Sequence, residues 1–350
     1  MPSNWHQDPD GLKAEVWVIN TQEAHWQSDL LEAFSGIQYW RLKDSDAWQL
    51  IGQESFFSAL ASPLPTLIYI HGNWTDLATA IEQAWTLCGP VWKRGDIRRF
   101  RLIIWCWPAQ RTGARLLTDL RFKAGRSDVE AYLLALHLQQ MPSEEPILLV
   151  GYSFGARVIT GALHLVGGGR LMSRSLPAEH SMGSELYSAP RSELGRLSGQ
   201  DNKGGLPGQF LTTDSKAACG LRPSGRFRAI LVAAAIGNDW LLPGGRHQHA
   251  LAKVEKMLVT VNRLDPALRW YARLEPCDSP ALGWAGLPAD YWNTCAALPT
   301  NPLAKIQCLW VTATVGKVHN WRLYFQTSEL QARLPEYLFT SGGFKHLPSP

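Results

Sequence analysis

Short apolar runs alternate with longer stretches whose apolar residues recur every three or four positions, from residue 15 onward. Glu15–Asn20 (EVWVIN) reads as a strand, with 37–42 and 47–51 as two more. Thr66–Ile70 (TLIYI) is apolar at every position but its first, follows a proline and precedes His71-Gly72. A run that is apolar on both faces suits a strand buried in a parallel sheet. Residues 75–87 then have helical spacing, with Thr75 as the cap. Residues 101–107 (RLIIWCW) form the next strand, stopped by Pro108, and Ser127-Asp128 opens a helix through Gln140. A strand over 147–150 passes into a helix that ends near Val166, and 226–236, 257–261 and 306–315 are further strands. Strands separated by helices predict an α/β fold: one doubly wound, mostly parallel sheet flanked by helices, in a single domain over 1–350.

Two stretches break the alternation. Of the 59 residues in 167–225, 24 are Gly, Ser or Pro, with no usable period; such an insertion is either disordered or a lid. Residues 278–302 are irregular but carry Trp284, Tyr291 and Trp292, which suits a small cap packed over a site.

Composition narrows the classes. Hydrophobic content of 45% against 18% charged residues describes a folded chain. A net charge of +4 with scattered Lys and Arg argues against a nucleic-acid partner. No window approaches the roughly 18 apolar residues of a membrane span. Residues 1–10 are polar, without the basic start and apolar core of an export signal. The six Cys form no C-x-x-C pair, and Cys106 and Cys308 fall in strands where inert buried thiols are expected; Cys277 and Cys295 bracket one loop and could pair only after export. Reduced thiols in a cytoplasm are therefore expected. Sixteen Trp is unusual, and Trp17, Trp40, Trp48, Trp105, Trp107 and Trp310 sit beside apolar positions where they are expected in the core. The oligomeric state is left open.

The chemistry concentrates at Gly151-Tyr152-Ser153-Phe154-Gly155, between a strand and a helix. A turn this sharp strains the serine backbone and lifts its hydroxyl into the open, and side chains two residues before and after would collide, so Gly151 and Gly155 are required there. A serine activated this way needs a base and an acid. Asp265 follows the strand at 257–261, just before a helix over 267–274, and His319 lies in a loop beyond the last strand. In those roles His319 removes the serine proton and Asp265 fixes the imidazole tautomer. Asp239 is the substitute acid and His346 the rival base; Asp265 before Pro266 also fits a plain helix cap. The developing oxyanion needs two donors, expected at the N–H of Phe154 and the N–H of Asn73 in the loop His71-Gly72-Asn73. His71 is expected to hold that loop rather than to act as a base. His247-Gln248-His249 lacks an acidic partner, so solvated histidines are expected and no metal. Gly167-Gly168-Gly169 follows a helix and lacks the Lys-Ser/Thr pair of a phosphate loop.

His71-Gly72-Asn73 after one strand, Trp107-Pro108 after the next, the GYSFG turn, Asp265 and His319 together resemble the α/β-hydrolase superfamily. The first half is similar to a bacterial group of esterase/lipase-like hydrolases that share the HG loop, a strand ending in S-W-P and a nucleophile motif near A-H-S-M-G. The likeness covers residues 65–166, and the rest only through the acid and the histidine. Cys106 replaces the Ser, and Gly151-Tyr152 replace Ala-His; neither change removes a catalytic group. The resemblance implies a cofactor-free serine hydrolase using Ser153, His319 and Asp265 through an acyl-enzyme. A carboxylic ester with an apolar acyl or aromatic group is the expected small-molecule substrate. A thioester or amide is the alternative bond, and a non-catalytic binding protein on the same fold is the alternative class.

Overall fold

The computed structural model describes residues 14–24, 36–43, 47–92, 99–141, 147–172, 174–176, 226–273, 279–289 and 302–339. Within them one sheet is formed by β1 (Glu15–Asn20), β2 (Gln38–Leu42), β3 (Trp48–Ile51), β4 (Thr66–Ile70), β5 (Arg101–Cys106), β6 (Ile147–Tyr152), β7 (Phe227–Val232), β8 (Val254–Val261) and β9 (Ile306–Trp310). Their order across the sheet is β3-β2-β1-β5-β4-β6-β7-β8-β9. Only the β1–β2 and β2–β3 pairs are antiparallel; every pair from β1–β5 across to β8–β9 is parallel. The helices are α1 (Gln53–Leu60), α2 (Leu77–Trp92), α3 (Leu116–Gln140), α4 (Phe154–Val166), α5 (Pro266–Arg269), α6 (Leu282–Ala285), α7 (Thr312–Val315), α8 (Trp321–Phe325) and α9 (Ser328–Leu338).

The central strands β4, β5, β6 and β7 are buried at every position, which explains their unbroken apolar runs. Helices α3 and α4 pack together on one face, and α2 packs with α8 and α9 on the other. The sheet is therefore doubly wound. From β4 the chain steps outward to β5, and from β6 it steps the other way to β7, so the connections diverge between β4 and β6. Parallel α/β sheets open a crevice at the carboxyl ends of strands where connections diverge, and ligands bind there. This is the doubly wound, mostly parallel α/β architecture that the alternation of strand and helix patterns predicts.

Several boundaries differ from the sequence expectation, each for a physical reason. The helix expected to open at Ser127 begins at Leu116, eleven residues earlier. Ser127 is not a cap: its hydroxyl donates back to the Ala124 carbonyl at 2.6 Å within the helix. The polar residues that hid this helix are buried ion pairs, Lys123–Asp119 at 2.7 Å and Arg126–Glu130 at 2.8 Å, four apart on its inner face. Helix α2 starts at Leu77, and Asp76 takes the capping role expected of Thr75, accepting from the Thr79 N–H at 2.7 Å. The strand expected over 226–236 stops at Val232, where Ala233 turns with φ of 49°. The strand expected over 306–315 ends at Trp310, and Thr312–Val315 form a single helical turn. The helix expected over 267–274 is one α turn followed by a 3₁₀ turn at Tyr271–Arg273. Trp310, expected in the core, lies 55% exposed on the edge strand β9, and Cys308 beside it is half-buried. Trp17, Trp105 and Trp107 are fully buried. Residues 177–225, Cys277, Cys295, Tyr291, Trp292 and His346 lie outside the described residues.

Candidate active site

Strand β6 ends at Tyr152 and α4 begins at Phe154, so Ser153 alone makes the turn between them. Its φ of 53° and ψ of −113° form a backbone state that L residues rarely adopt. Crowding on both sides enforces it. A Cβ on Gly151 would lie 2.6 Å from the Gly155 carbonyl carbon, and a Cβ on Gly155 would press into the Ile70 and His71 carbonyls. The Ser153 N–H donates to Val232 O at 2.9 Å, and Ser153 O accepts from the Ala156 and Ala235 amides. These bonds fix the turn against the end of β7.

The loop after β4 lies on this turn. A Cβ on Gly72 would stand 3.0 Å from the Tyr152 carbonyl and 3.1 Å from Ser153 Cβ, so the loop backbone runs directly over the serine. His71 anchors it from below. Its Nδ1–H donates to Gly72 O at 2.8 Å, its Nε2 accepts the Trp107 N–H at 3.1 Å, and its own carbonyl accepts the Trp107 indole N–H at 2.9 Å. The two rings stack at 5.7 Å. Burial pulls the His71 imidazole down to about 4, which keeps it neutral and able to accept. Trp107, expected in the core and as part of the Trp107-Pro108 motif, is thus the strut that ties the β5 end to this loop. The Trp74 amide adds a bond to Ala109 O at 2.7 Å. The Phe154 N–H opens α4 and has no intrahelical acceptor. The Asn73 side chain carries a buried Nδ2 and Oδ1 with no hydrogen-bond partner among the described residues.

The acid and the histidine come from the far side of the sheet. His319 Nε2 lies 3.1 Å from Ser153 Oγ, and His319 Nδ1 lies 2.7 Å from Asp265 Oδ2. Asp265 is fully buried, Ser153 is 7% exposed and the His319 side chain 22%, so the three step outward from core to crevice. A carboxylate can only accept, so Nδ1 carries the proton and Nε2 presents its lone pair to the serine hydroxyl. Asp265 also caps α5 through its other oxygen, Oδ1 accepting the Ala267 and Leu268 amides at 3.0 and 3.1 Å. The two sequence readings of Asp265 describe its two oxygens. Asn262 binds the two loops together, donating from Nδ2 to Gly316 O at 2.9 Å and accepting the Leu264 N–H at 3.0 Å.

Two tyrosines complete the arrangement, and sequence reasoning named neither as functional. The Tyr324 hydroxyl donates to Asp265 Oδ2 at 2.7 Å. The Tyr152 ring stacks on the His319 imidazole with centroids 5.2 Å apart. Burial pushes both phenols well up, and the neighbouring Asp265 charge pushes them further, so both stay protonated. Tyr152 lies inside the GYSFG turn, one residue before Ser153, and that adjacency is the signal the sequence carries for it. Tyr324 had no motif to mark it.

The remaining expected positions fall as follows. Asp239 is exposed on a turn, and the carboxylate beside His319 is that of Asp265. His247, expected to be solvated, is fully buried, with Nδ1 2.9 Å from Thr160 Oγ1. No group of three metal-ligating side chains occurs among the described residues. Helix α6 of the expected cap is knitted to the loop that follows β7 through Leu282 N–H to Ile236 O and Gly283 N–H to Ala234 O, and Trp284 donates to Arg263 O at 2.8 Å. No described helix is long and apolar enough to cross a membrane.

No protein-family model matches the chain, and no curated protein matches it in sequence. Among solved structures it is similar to esterase B from Lactobacillus rhamnosis, at 12% identity and a TM-score of 0.36, covering 93% of this chain and 85% of that one. A C6-C4 SN3 inhibited form of that esterase gives 13% identity and a TM-score of 0.34, covering 92% and 85%. A form inhibited by a C4-C4 SN3 tributyrin phosphonate gives 13% and 0.36, covering 92% and 84%.

Proposed function

We propose that this chain is a serine hydrolase that cleaves a carboxylic ester through an acyl-enzyme. The observation that carries the reading is the unbroken hydrogen-bond line from Ser153 Oγ through His319 to Asp265, at 3.1 and 2.7 Å, with the serine on a strained turn at the crevice. In this reading His319 Nε2 takes the hydroxyl proton as Ser153 Oγ attacks the ester carbonyl carbon. The carbonyl electron pair moves onto oxygen, and the N–H groups of Phe154 and Asn73 receive that charge. His319 then returns the proton to the departing alcohol as the C–O bond breaks. Water repeats the sequence, with His319 as base, and releases the acid and the free serine. Asp265 keeps the imidazole in the required tautomer and stabilises its cation. The chemistry uses no cofactor.

An apolar acyl or aromatic group is the proposed substrate side, supported by exposed Trp74 and Leu264 in the loops that follow β4 and β8. A thioester or amide would follow the same steps, and a panel of matched ester, thioester and amide substrates ranks the three. Fluorophosphonate labelling of wild type against Ser153→Ala tests the central claim. Labelling that disappears in the variant is expected. A folded wild type that resists the probe would overturn the catalytic reading in favour of a binding protein.

A further inference from the structure

The carboxylate that orients the base is held by more than the base. Asp265 Oδ1 is occupied by two main-chain amides, and Oδ2 accepts both His319 Nδ1–H and the Tyr324 hydroxyl, each at 2.7 Å. We propose that Tyr324 is a positioning residue of this site: by sharing Oδ2 with His319 it locks the carboxylate in line with the imidazole and weakens the pull of that carboxylate on the imidazolium. The inference rests on the catalytic reading above for its consequence, and on geometry alone for its mechanism.

The local chain builds this arrangement as one module. His319 is followed by Asn320, whose side chain caps α8 by accepting the Arg322 N–H at 2.9 Å, and α8 delivers Tyr324 five residues after the histidine. Base and hydroxyl thus reach one oxygen from adjoining segments. Tyr324 cannot swing away, because it is fully buried and packs edge-on against Tyr152 at 6.3 Å. Its hydroxyl must be the donor, since the carboxylate has no proton to give. A second donor on Oδ2 draws charge away from His319, and less charge there means a less basic imidazole. Among the described residues the titratable groups facing the pair are Tyr152 from β6 and Tyr324 from α8, with the Ser153 hydroxyl at the turn. Among the described residues His319 is the only basic side chain within ion-pair distance of Asp265. Arg263 and Lys317, the charged neighbours in the two loops, are exposed, with Arg263 directed to Ala285 O.

Tyr324→Phe keeps the ring and removes the donor. Two readouts separate the claims. The first is the rate of fluorophosphonate inactivation against pH; the second is the NMR titration of the His319 ring in a Ser153→Ala background, which needs no activity. With the phenol gone, the His319 midpoint is expected to rise by about one pH unit, and inactivation on the acidic limb to fall about tenfold. A merely structural role would lower thermal stability and leave the midpoint in place, and that outcome overturns the proposal. Site-specific 3-fluorotyrosine at 324 keeps the fold and strengthens the donor, so the midpoint is expected to move down; a rise or no change also overturns it. A wild type that resists the probe while the midpoint still responds would sink the catalytic reading and leave this one standing.

Discussion

The two sides of the crevice are held by different forces. On the serine side the backbone is fixed by exclusion: Gly151, Gly155 and Gly72 leave space where neighbouring backbone already stands, and Ser153 between them is held at a φ of 53°. On the acid side the side chains are fixed by hydrogen bonds. Asp265 accepts four of them, and Asn262 fastens its loop to the one that carries His319. Exclusion tolerates no substitution and leaves a short motif. Hydrogen bonding can be met from many chain positions and leaves almost none. The difference suits the chemistry proposed for the site. A nucleophile must not move relative to its oxyanion donors, whereas a base that exchanges protons with two partners needs a tuned environment more than a rigid one.

The largest effect that would sharpen this contrast is electrostatic and falls on the acid side. Asp265→Asn keeps an oxygen to cap α5 and keeps the shape of the carboxyl, yet it loses the charge that fixes the His319 tautomer. Ester hydrolysis, measured as kcat/KM, is expected to fall about 10⁴-fold while the far-ultraviolet circular dichroism stays unchanged. Activity within tenfold of wild type would mean that the acid side contributes packing rather than charge. On the serine side the equivalent change is steric. Gly155→Ala is expected to cost about 3 kcal/mol in urea unfolding, because the added methyl meets two main-chain carbonyls that cannot withdraw without breaking the β4 end. A loss below about 0.5 kcal/mol, within ordinary surface tolerance, would show that the turn has slack that the contacts do not suggest.

The same contrast explains what the sequence disclosed. Thr66–Ile70 and Glu15–Asn20 were legible to the residue because strands buried on both faces leave no polar interruption. The turn at Ser153 was legible because its glycines are sterically obligatory. Helix α3 was hidden over its first eleven residues because Asp119, Lys123 and Arg126 are buried in ion pairs, the last with Glu130 a turn further on, and buried charge imitates a surface in any hydrophobic pattern. Asp265 and His319 could be placed only by chain order relative to strands, and the structure brings both to Ser153. Tyr324 was beyond reach: its partner stands 59 residues away, and nothing in a tyrosine five positions after a histidine announces the carboxylate it will meet. Trp310 misled for the opposite reason, since an edge strand can carry an apolar residue that neither face covers.

The smallest expected effect concerns the histidine of the serine side, His71, which holds its loop only while neutral. In the folded chain burial lowers it to about 4, against about 6.5 when unfolded. Between those values the unfolded state binds a proton that the folded state refuses. Stability is therefore complete above pH 6.5 and drains as the pH falls toward 4, by up to about 1.4 kcal/mol per pH unit for this one group. His137, also buried and lowered to about 4, adds to the same slope, so the wild-type curve alone cannot isolate His71. The comparison with His71→Gln can. Glutamine offers an acceptor to the Trp107 N–H but takes up no proton, so the variant is expected to be less stable at pH 7 and to lose less on acidification. The two stability curves, measured by urea unfolding from pH 7 to 4.5, are then expected to converge. Parallel curves would mean that His71 titrates freely in the folded chain. In that case its bonds to Gly72 and Trp107 could not be what holds the loop over Ser153, and exclusion by the glycines alone would have to carry the serine side.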